Sequence, residues 1–276
     1  MNSFKITMYI VAILGIEFGS FANVCIYRWP KGQSVKNPRR SFCPWCKIKI
    51  SWYDNFPILS FFLLGTRCRN CHSSISCRYP TVELILPILW MGLNFINPII
   101  LGGDKIVFML GLFYLCFVLL VTTVTDIDWR IIPDQASYGL ILIGFLISPI
   151  NHLLGASAEE RLLSCTMGVL SCGGLSLAIS VGGAKILGRE VLGLGDVKLL
   201  AGFGAFLGWE GALFAFVLAS LIGGMFSGGG LLLKVIKRHQ YIPFGPFLNL
   251  AAYITLLVML NSPTGNYFWR KIIFSN

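Results

Sequence analysis

Eight apolar runs, most of them close to the length that crosses a bilayer, constrain this chain more than any other feature of its sequence. They are Ile6–Tyr27, Thr81–Leu101, Ile106–Thr125, Gln135–Asn151, Leu162–Ala184, Val197–Trp209, Ala212–Leu233 and Phe247–Leu260. Crossing hydrocarbon takes about 20 predominantly apolar residues, in a helix that satisfies its own backbone polar groups. Only 12% of the residues are charged, against roughly 25% in soluble domains, so a water-soluble globule lacks the polar surface it needs. The expected fold is an all-α polytopic membrane protein of eight transmembrane helices. The sixth run has 13 residues, or about 20 Å of helix. It is either half-inserted or continues across Glu210, and in that case seven helices cross.

Basic residues set the orientation. With the N-terminus outside, 17 of the 22 Lys and Arg residues fall in the inside segments 28–80, 126–134, 185–198 and 234–240. The positive-inside rule therefore places those segments in the cytoplasm. The net charge of +10 reports this bias and contact with anionic lipid, not nucleic-acid binding. The first apolar run has one Lys before it, a basic loop after it and no A-x-A-like site, so it is expected to stay as a helix rather than be cleaved as a signal. The expected organisation is a first transmembrane helix (1–27), a cytoplasmic loop (28–80) and a membrane portion (81–276).

The loop carries Cys43-Pro44-Trp45-Cys46 and Cys68-Arg69-Asn70-Cys71, two C-x2-C pairs separated by 21 residues. Each pair turns two sulfurs toward one centre, and two pairs complete a tetrahedral thiolate site for zinc. Cytoplasmic thiols stay reduced, which disfavours disulfides. Four cysteines leave no open position for water, so the zinc is expected to be structural; empty or redox-active thiols are the other reading. His72 is expected to point away from the metal. Cys25, Cys77, Cys116, Cys165 and Cys172 lack pair spacing and are read as ordinary helix or loop residues.

The chain has only 12 acids, so where they fall is informative. Asp126, Asp128 and Asp134 lie in the segment 125–134, at the cytoplasmic end of the third run. Asp196 lies in Gly193-Leu194-Gly195-Asp196-Val197-Lys198, at the cytoplasmic start of the sixth. Acids at the edge of the apolar region are costly and are functional candidates. Two carboxylates sharing one proton suit aspartyl hydrolysis, one activating water while the other polarises the carbonyl. Residues 126 and 128 point about 200° apart on an ideal helix, so only one of them can face a given partner, and spacing alone does not choose. Gly193 and Gly195 are read as allowing close approach of a substrate strand, and Pro133 as stopping the helix. Lys198 either lowers the pKa of Asp196 or reaches lipid phosphate. The bland reading has Asp128 and Asp134 solvated or paired with Arg130 and Lys198.

Other features fit packing and anchoring. Gly15-x3-Gly19, Gly224-x3-Gly228 and the run 228–230 suit close helix contacts. Lys234, Lys237, Arg238 and His239 form a basic face for inner-leaflet lipid. His152 and His239 suggest no catalysis. Glu17 is the only acid well inside a run. It is read as a protonated helix–helix contact, with a substrate contact as the other reading. A small transporter or channel with a zinc-stabilised loop is the rival from another class; it predicts acids near the midplane and paired half-helices.

Taken together, these blocks resemble the type IV prepilin peptidases, bacterial members of the G-x-G-D membrane aspartyl peptidases. The resemblance runs through Gly15 to Val24 with Arg28-Trp29-Pro30, both cysteine pairs with Asp54-Asn55-Phe56-Pro57 between them, and Arg78 to Glu83. It continues through Asp126 with Pro133-Asp134, Gly188-Arg189-Glu190, Gly193 to Lys198, and Ile242 to Phe247. In that family the first catalytic aspartate stands seven residues before the proline, which maps it onto Asp126; the second maps onto Asp196. The resemblance implies an inner-membrane enzyme that removes the basic leader of type IV prepilins or type II secretion pseudopilins at the cytoplasmic face. It also implies methylation of the new N-terminus with S-adenosylmethionine. The 53 residues of the loop are too few for a separate methyltransferase domain and carry no glycine-rich fingerprint, so a donor is expected at the loop–membrane junction.

Overall fold

The computed structural model describes residues 2–38, 40–98, 103–188, 192–235 and 242–261. Among the described residues the architecture is helical, with isolated β-bridges in place of strands. The helices are α1 (Asn2–Arg28), α2 (Leu59–Leu63), α3 (Arg78–Ile96), α4 (Gly103–Trp129), α5 (Asp134–Ile147), α6 (Ala158–Leu187), α7 (Leu194–Leu232) and α8 (Gly245–Asn261). Of these, α1, α3, α4, α6 and α7 are long and apolar enough to cross a membrane, while α5 and α8 are shorter apolar helices. The chain divides into two compact units, residues 1–98 and 99–276.

In the first unit α1 packs along α3 through glycine. A Cβ on Gly15 would lie 2.6 Å from Pro87 Cα, and one on Gly19 would lie 2.8 Å from Glu83 Cα. The Gly15-x3-Gly19 spacing thus serves close backbone approach, as expected. Pro87 is tolerated inside α3, where a proline removes a helix hydrogen bond and bends the axis. Arg28 ends α1 and is buried. Its guanidinium donates to the carbonyls of Ser34, Val35 and Pro38 at 3.1, 3.0 and 2.8 Å, which gathers the start of the loop.

The second unit is built around the first half of α7, where every residue from Leu199 to Gly208 is buried. Gly202 lies against Leu140 of α5, Gly204 lies backbone to backbone against Gly168 of α6, and Asn151 Nδ2 donates to Phe206 O at 2.9 Å. The helix then breaks at Gly208 (φ 71, ψ 177). A straight helix would hold Leu200 and Phe216 about 24 Å apart. Instead both line one small cavity, with Ala212, Cys172 and Ser176. The two halves therefore fold back on one another. The sixth and seventh apolar runs are two arms of a hairpin, and the chain reverses at Gly208 rather than continuing across Glu210.

The second arm packs antiparallel to α8, with Gly223 against Phe247 and Gly211 against Met259. α8 in turn runs antiparallel to α4, where Asn249 Nδ2 donates to Thr122 Oγ1 and Thr123 Oγ1 at 3.0 and 2.9 Å. The expectation for the later glycines is corrected. A Cβ on Gly224, Gly228 or Gly229 would meet nothing within 4 Å, because close packing on α8 stops at Gly223. The close contacts fall at Gly168, Gly202 and Gly204 instead.

Candidate active site

Asp126 sits where α4 changes from buried to exposed. It is 4% exposed, whereas residues 127–130 face outward. The opposed directions of 126 and 128 on one helix give this contrast: Asp128 is exposed and Asp126 is enclosed. Its partner is the backbone N–H of Gly245, which donates to Oδ2 at 2.9 Å. Gly245 opens α8, where the first N–H groups have no intrahelical acceptor and the helix dipole favours negative charge. Residue 245 has to be glycine for this approach, since a Cβ there would stand 2.6 Å from the same oxygen. In the sequence the late loop Ile242–Phe247 stood out only as part of the family resemblance; its contact with Asp126 had no local signal.

Asp196 is the third residue of α7, and Gly193 is the N-cap. Its carboxylate reaches back to the Gly193 backbone, the return half of a capping box. Asp196 is 8% exposed and its Oδ1 is buried without a hydrogen-bond partner. The carboxylate of Asp126 is close enough to act on it electrostatically. Acids 70 residues apart are thus brought to one end of the second unit.

The glycines beside Asp196 work differently from the sequence expectation. Gly193 has φ −67, and neither it nor Gly195 adopts positive φ. Gly195 gives room instead to Ile132, whose Cβ would lie 2.9 Å from an added Cβ. That contact presses the start of α7 onto the segment joining α4 to α5. Pro133 begins α5 as its N-cap, and α4 runs past Asp126 to Trp129, so the break comes after the acid by one turn. Lys198 does not pair with Asp196. Its Nζ lies 2.6 Å from Asp134 Oδ1 and over the Tyr138 ring, which commits its charge to α5. Gly188 closes α6 in the left-handed conformation; Arg189 and Glu190 lie outside the described residues, as do Lys237, Arg238 and His239.

The first unit brings Cys43, Cys46, Cys68 and Cys71 together, with all four sulfurs within 4.8 Å of one another. Cys43 and Cys71 Sγ are 3.8 Å apart, matching the edge of about 3.8 Å that a tetrahedron with 2.3 Å Zn–S bonds requires. The two knuckles are copies of one turn displaced by 25 residues. The bridge Phe42↔Lys49 encloses the first and Arg67↔Ser74 the second. Cys43 N–H donates to Ile48 O and Lys47 N–H to Cys43 O; Cys68 N–H donates to Ser73 O and His72 N–H to Cys68 O. His72 holds the same left-handed position as Lys47, so it closes the turn and is not among the ligating group. The hydrogen bond with the Ser73 side chain lowers the Cys71 thiol to about 6, toward the thiolate that binds metal. Arg69 clamps Asp54 through bonds of 2.8 and 2.6 Å, which ties the second knuckle to the turn at Trp52–Asp54.

Known proteins align with both units. Residues 13–96 match the family model described as the bacterial peptidase A24 N-terminal domain, and residues 113–228 match the one described as the type IV leader peptidase family. Relatives named prepilin leader peptidase/N-methyltransferase cover nearly the whole chain. One from Aeromonas hydrophila is 33% identical over 90% of this chain and 89% of its own. One from Vibrio cholerae is 31% identical over 87% and 92%, and one from Pseudomonas aeruginosa 30% identical over 89% and 88%. No solved structure matches the chain. Nothing in these relatives supports the transporter reading. With matches to both domain models and relatives at this identity along its length, the chain belongs to the type IV leader peptidase family.

Proposed function

We propose that this chain is a membrane aspartyl endopeptidase that removes the basic leader from type IV prepilins or type II secretion pseudopilins and then methylates the new N-terminus. The observation that carries the reading is the meeting of two enclosed acids, Asp126 and Asp196, at one end of the second unit. Two neighbouring carboxylates hold one proton between them, because a second charge beside the first is unfavourable. The ionised member takes a proton from the attacking water, and the protonated member hydrogen-bonds the scissile carbonyl oxygen. Gly245 N–H fixes one oxygen of Asp126 and leaves the other for the water. When the tetrahedral intermediate collapses, the proton passes to the leaving amine.

The orientation follows from charge: the N-terminus lies outside, eight segments cross the bacterial inner membrane, and both acids lie at its cytoplasmic face. The two arms of α7 count as two crossings, the first short because it is enclosed by its neighbours. Cys43, Cys46, Cys68 and Cys71 would hold a structural zinc, which supplies the loop with the core that its polar sequence lacks. S-adenosylmethionine, when bound, supplies a methyl group on a sulfonium for transfer to the exposed amine. Lipid contact by the inside basic residues accounts for the net charge. Incubating membranes that hold the protein with a prepilin tests the reading. A shorter product on a gel is expected, with a further mass increase of one methyl group at its N-terminus; an unchanged prepilin contradicts it.

A further inference from the structure

The first unit contains a polar cluster, buried at Asn23 and Glu83 and open to the surface at Glu17, that peptide cleavage does not use. Glu17, Ser20 and Asn23 recur at three-residue spacing along α1, and Glu83 meets them from α3. Glu83 is 7% exposed, and its Oε2 accepts the Ile58 N–H at 2.7 Å. It also takes side-chain hydrogen bonds from Ser20 and Asn23, and the Glu17 carboxylate acts on it electrostatically. Ile58 has φ 62, a costly conformation for a β-branched residue.

Asn23 is 3% exposed and donates through Nδ2 to Tyr79 O at 3.0 Å. That bond fixes the amide, since the flipped form would set two carbonyl oxygens against each other. Its Oδ1 is consequently buried with no hydrogen-bond partner, and so is the Ser60 hydroxyl two residues beyond Ile58. Holding the loop explains the bond from Glu83 to Ile58. It does not explain a second carboxylate brought beside the first, or a buried carbonyl oxygen left unpaired. The neighbouring acids repel, and an orphaned buried acceptor costs about 1–3 kcal/mol. A cation with several N–H groups relieves both. An ammonium carries three donors, and Asn23 Oδ1, Glu17 and Glu83 supply oxygens of matching number and sign.

We infer that this cluster binds an aliphatic ammonium group. The inference rests on the methylation half of the proposed function, in which two such groups occur. One is the new N-terminal amine of the cleaved substrate, and the other is the α-amino group of the methyl donor. The cluster lies where α1 and α3 meet the loop.

The test measures binding to the full-length protein in lipid nanodiscs. The probes are a peptide with the new N-terminal sequence of the cleaved pilin, the same peptide N-acetylated, and S-adenosylhomocysteine, which keeps the donor's α-amino group. Glu83→Gln and Glu17→Gln are each expected to weaken one amine ligand by about tenfold or more, the effect of one charge-assisted hydrogen bond. A loss confined to the free-amine peptide, with the acetylated control unaffected, identifies the acceptor amine; a loss confined to S-adenosylhomocysteine identifies the donor. Wild-type affinity for both amine ligands in both variants overturns the site. Prepilin cleavage by each variant reports on folding. If Glu83→Gln also loses cleavage, Glu17→Gln decides, and unchanged binding there overturns the proposal. Failure of the wild-type protein to cleave prepilin is a separate result that counts against the proposed function.

Discussion

The backbone N–H of Gly245 donates to Asp126 Oδ2 at 2.9 Å, joining residues 119 positions apart. The bond places the carboxylate at the N-terminus of α8, and Asn249, one turn further along α8, holds Thr122 and Thr123 of α4. Two contacts on adjacent turns thus fix both the height and the rotation of Asp126.

Gly245→Ala is predicted to lose cleavage while the protein still inserts. The added Cβ would stand 2.6 Å from Oδ2, so the N-terminus of α8 has to withdraw. A displacement of that order costs on the order of 100-fold in rate. Gly224→Ala, where a Cβ meets nothing within 4 Å, is the control and keeps its activity. Equal rates for the two variants in a prepilin gel-shift assay contradict this role for Gly245.

Gly208→Ala tests the hairpin. Residue 208 has φ 71, and a Cβ there would lie 3.3 Å from Leu154 Cδ2. With ψ 177 the residue sits in the positive-φ extended region that is essentially confined to glycine, and an L-residue there costs about 1–3 kcal/mol, which is expected to appear as a lower thermal midpoint in detergent. Gly229→Ala, in a helical and open position, is expected to be neutral. A Gly208→Ala protein as stable as the wild type means the chain does not reverse there.

Lys198→Ala separates two roles for that residue. Its Nζ is 2.6 Å from Asp134 at a partly exposed site, and such pairs contribute about 1 kcal/mol or less. Cleavage is expected to change by less than about fivefold on that scale, with the pH–rate profile unmoved. A large loss together with a displaced profile shows that the charge acts on Asp196 instead.

For the knuckles, Cys43→Ser with Cys46→Ser is predicted to leave the purified protein without stoichiometric zinc and to make the loop sensitive to protease. Chelator treatment of the wild type is expected to give the same protease pattern. Metal analysis that finds unchanged zinc in the double variant defeats the four-thiolate assignment.

The apolar runs made most of the helices legible, because hydrocarbon length and backbone satisfaction leave few alternatives. α1, α4, α6 and α8 fall on runs read from hydropathy. The break between the sixth and seventh runs was legible at Glu210, but the short sixth run left continuation across it open, and only the torsion angle at Gly208 marks the turn. The cysteine spacing gave the four-sulfur cluster directly, since two C-x2-C turns are local features. Asp126 was distinguished from Asp128 only by resemblance; burial separates them because they lie on opposite sides of α4. The Gly245 contact is tertiary, and no local pattern announces a bond across 119 residues; pairing of Asp134 with Lys198, by contrast, was the bland reading of those charges, and the pair forms. The glycines before Asp196 were read as letting a substrate strand approach, yet Gly195 serves to admit Ile132, a packing fact that sequence spacing does not contain.

The most direct measurement is prepilin cleavage by purified Asp126→Asn and Asp196→Asn proteins whose insertion and thermal melting match the wild type. Each substitution keeps the side chain's shape and removes its ability to hold or release the shared proton. Each variant alone is predicted to leave the leader attached. Full processing by either one contradicts a reaction that needs both acids.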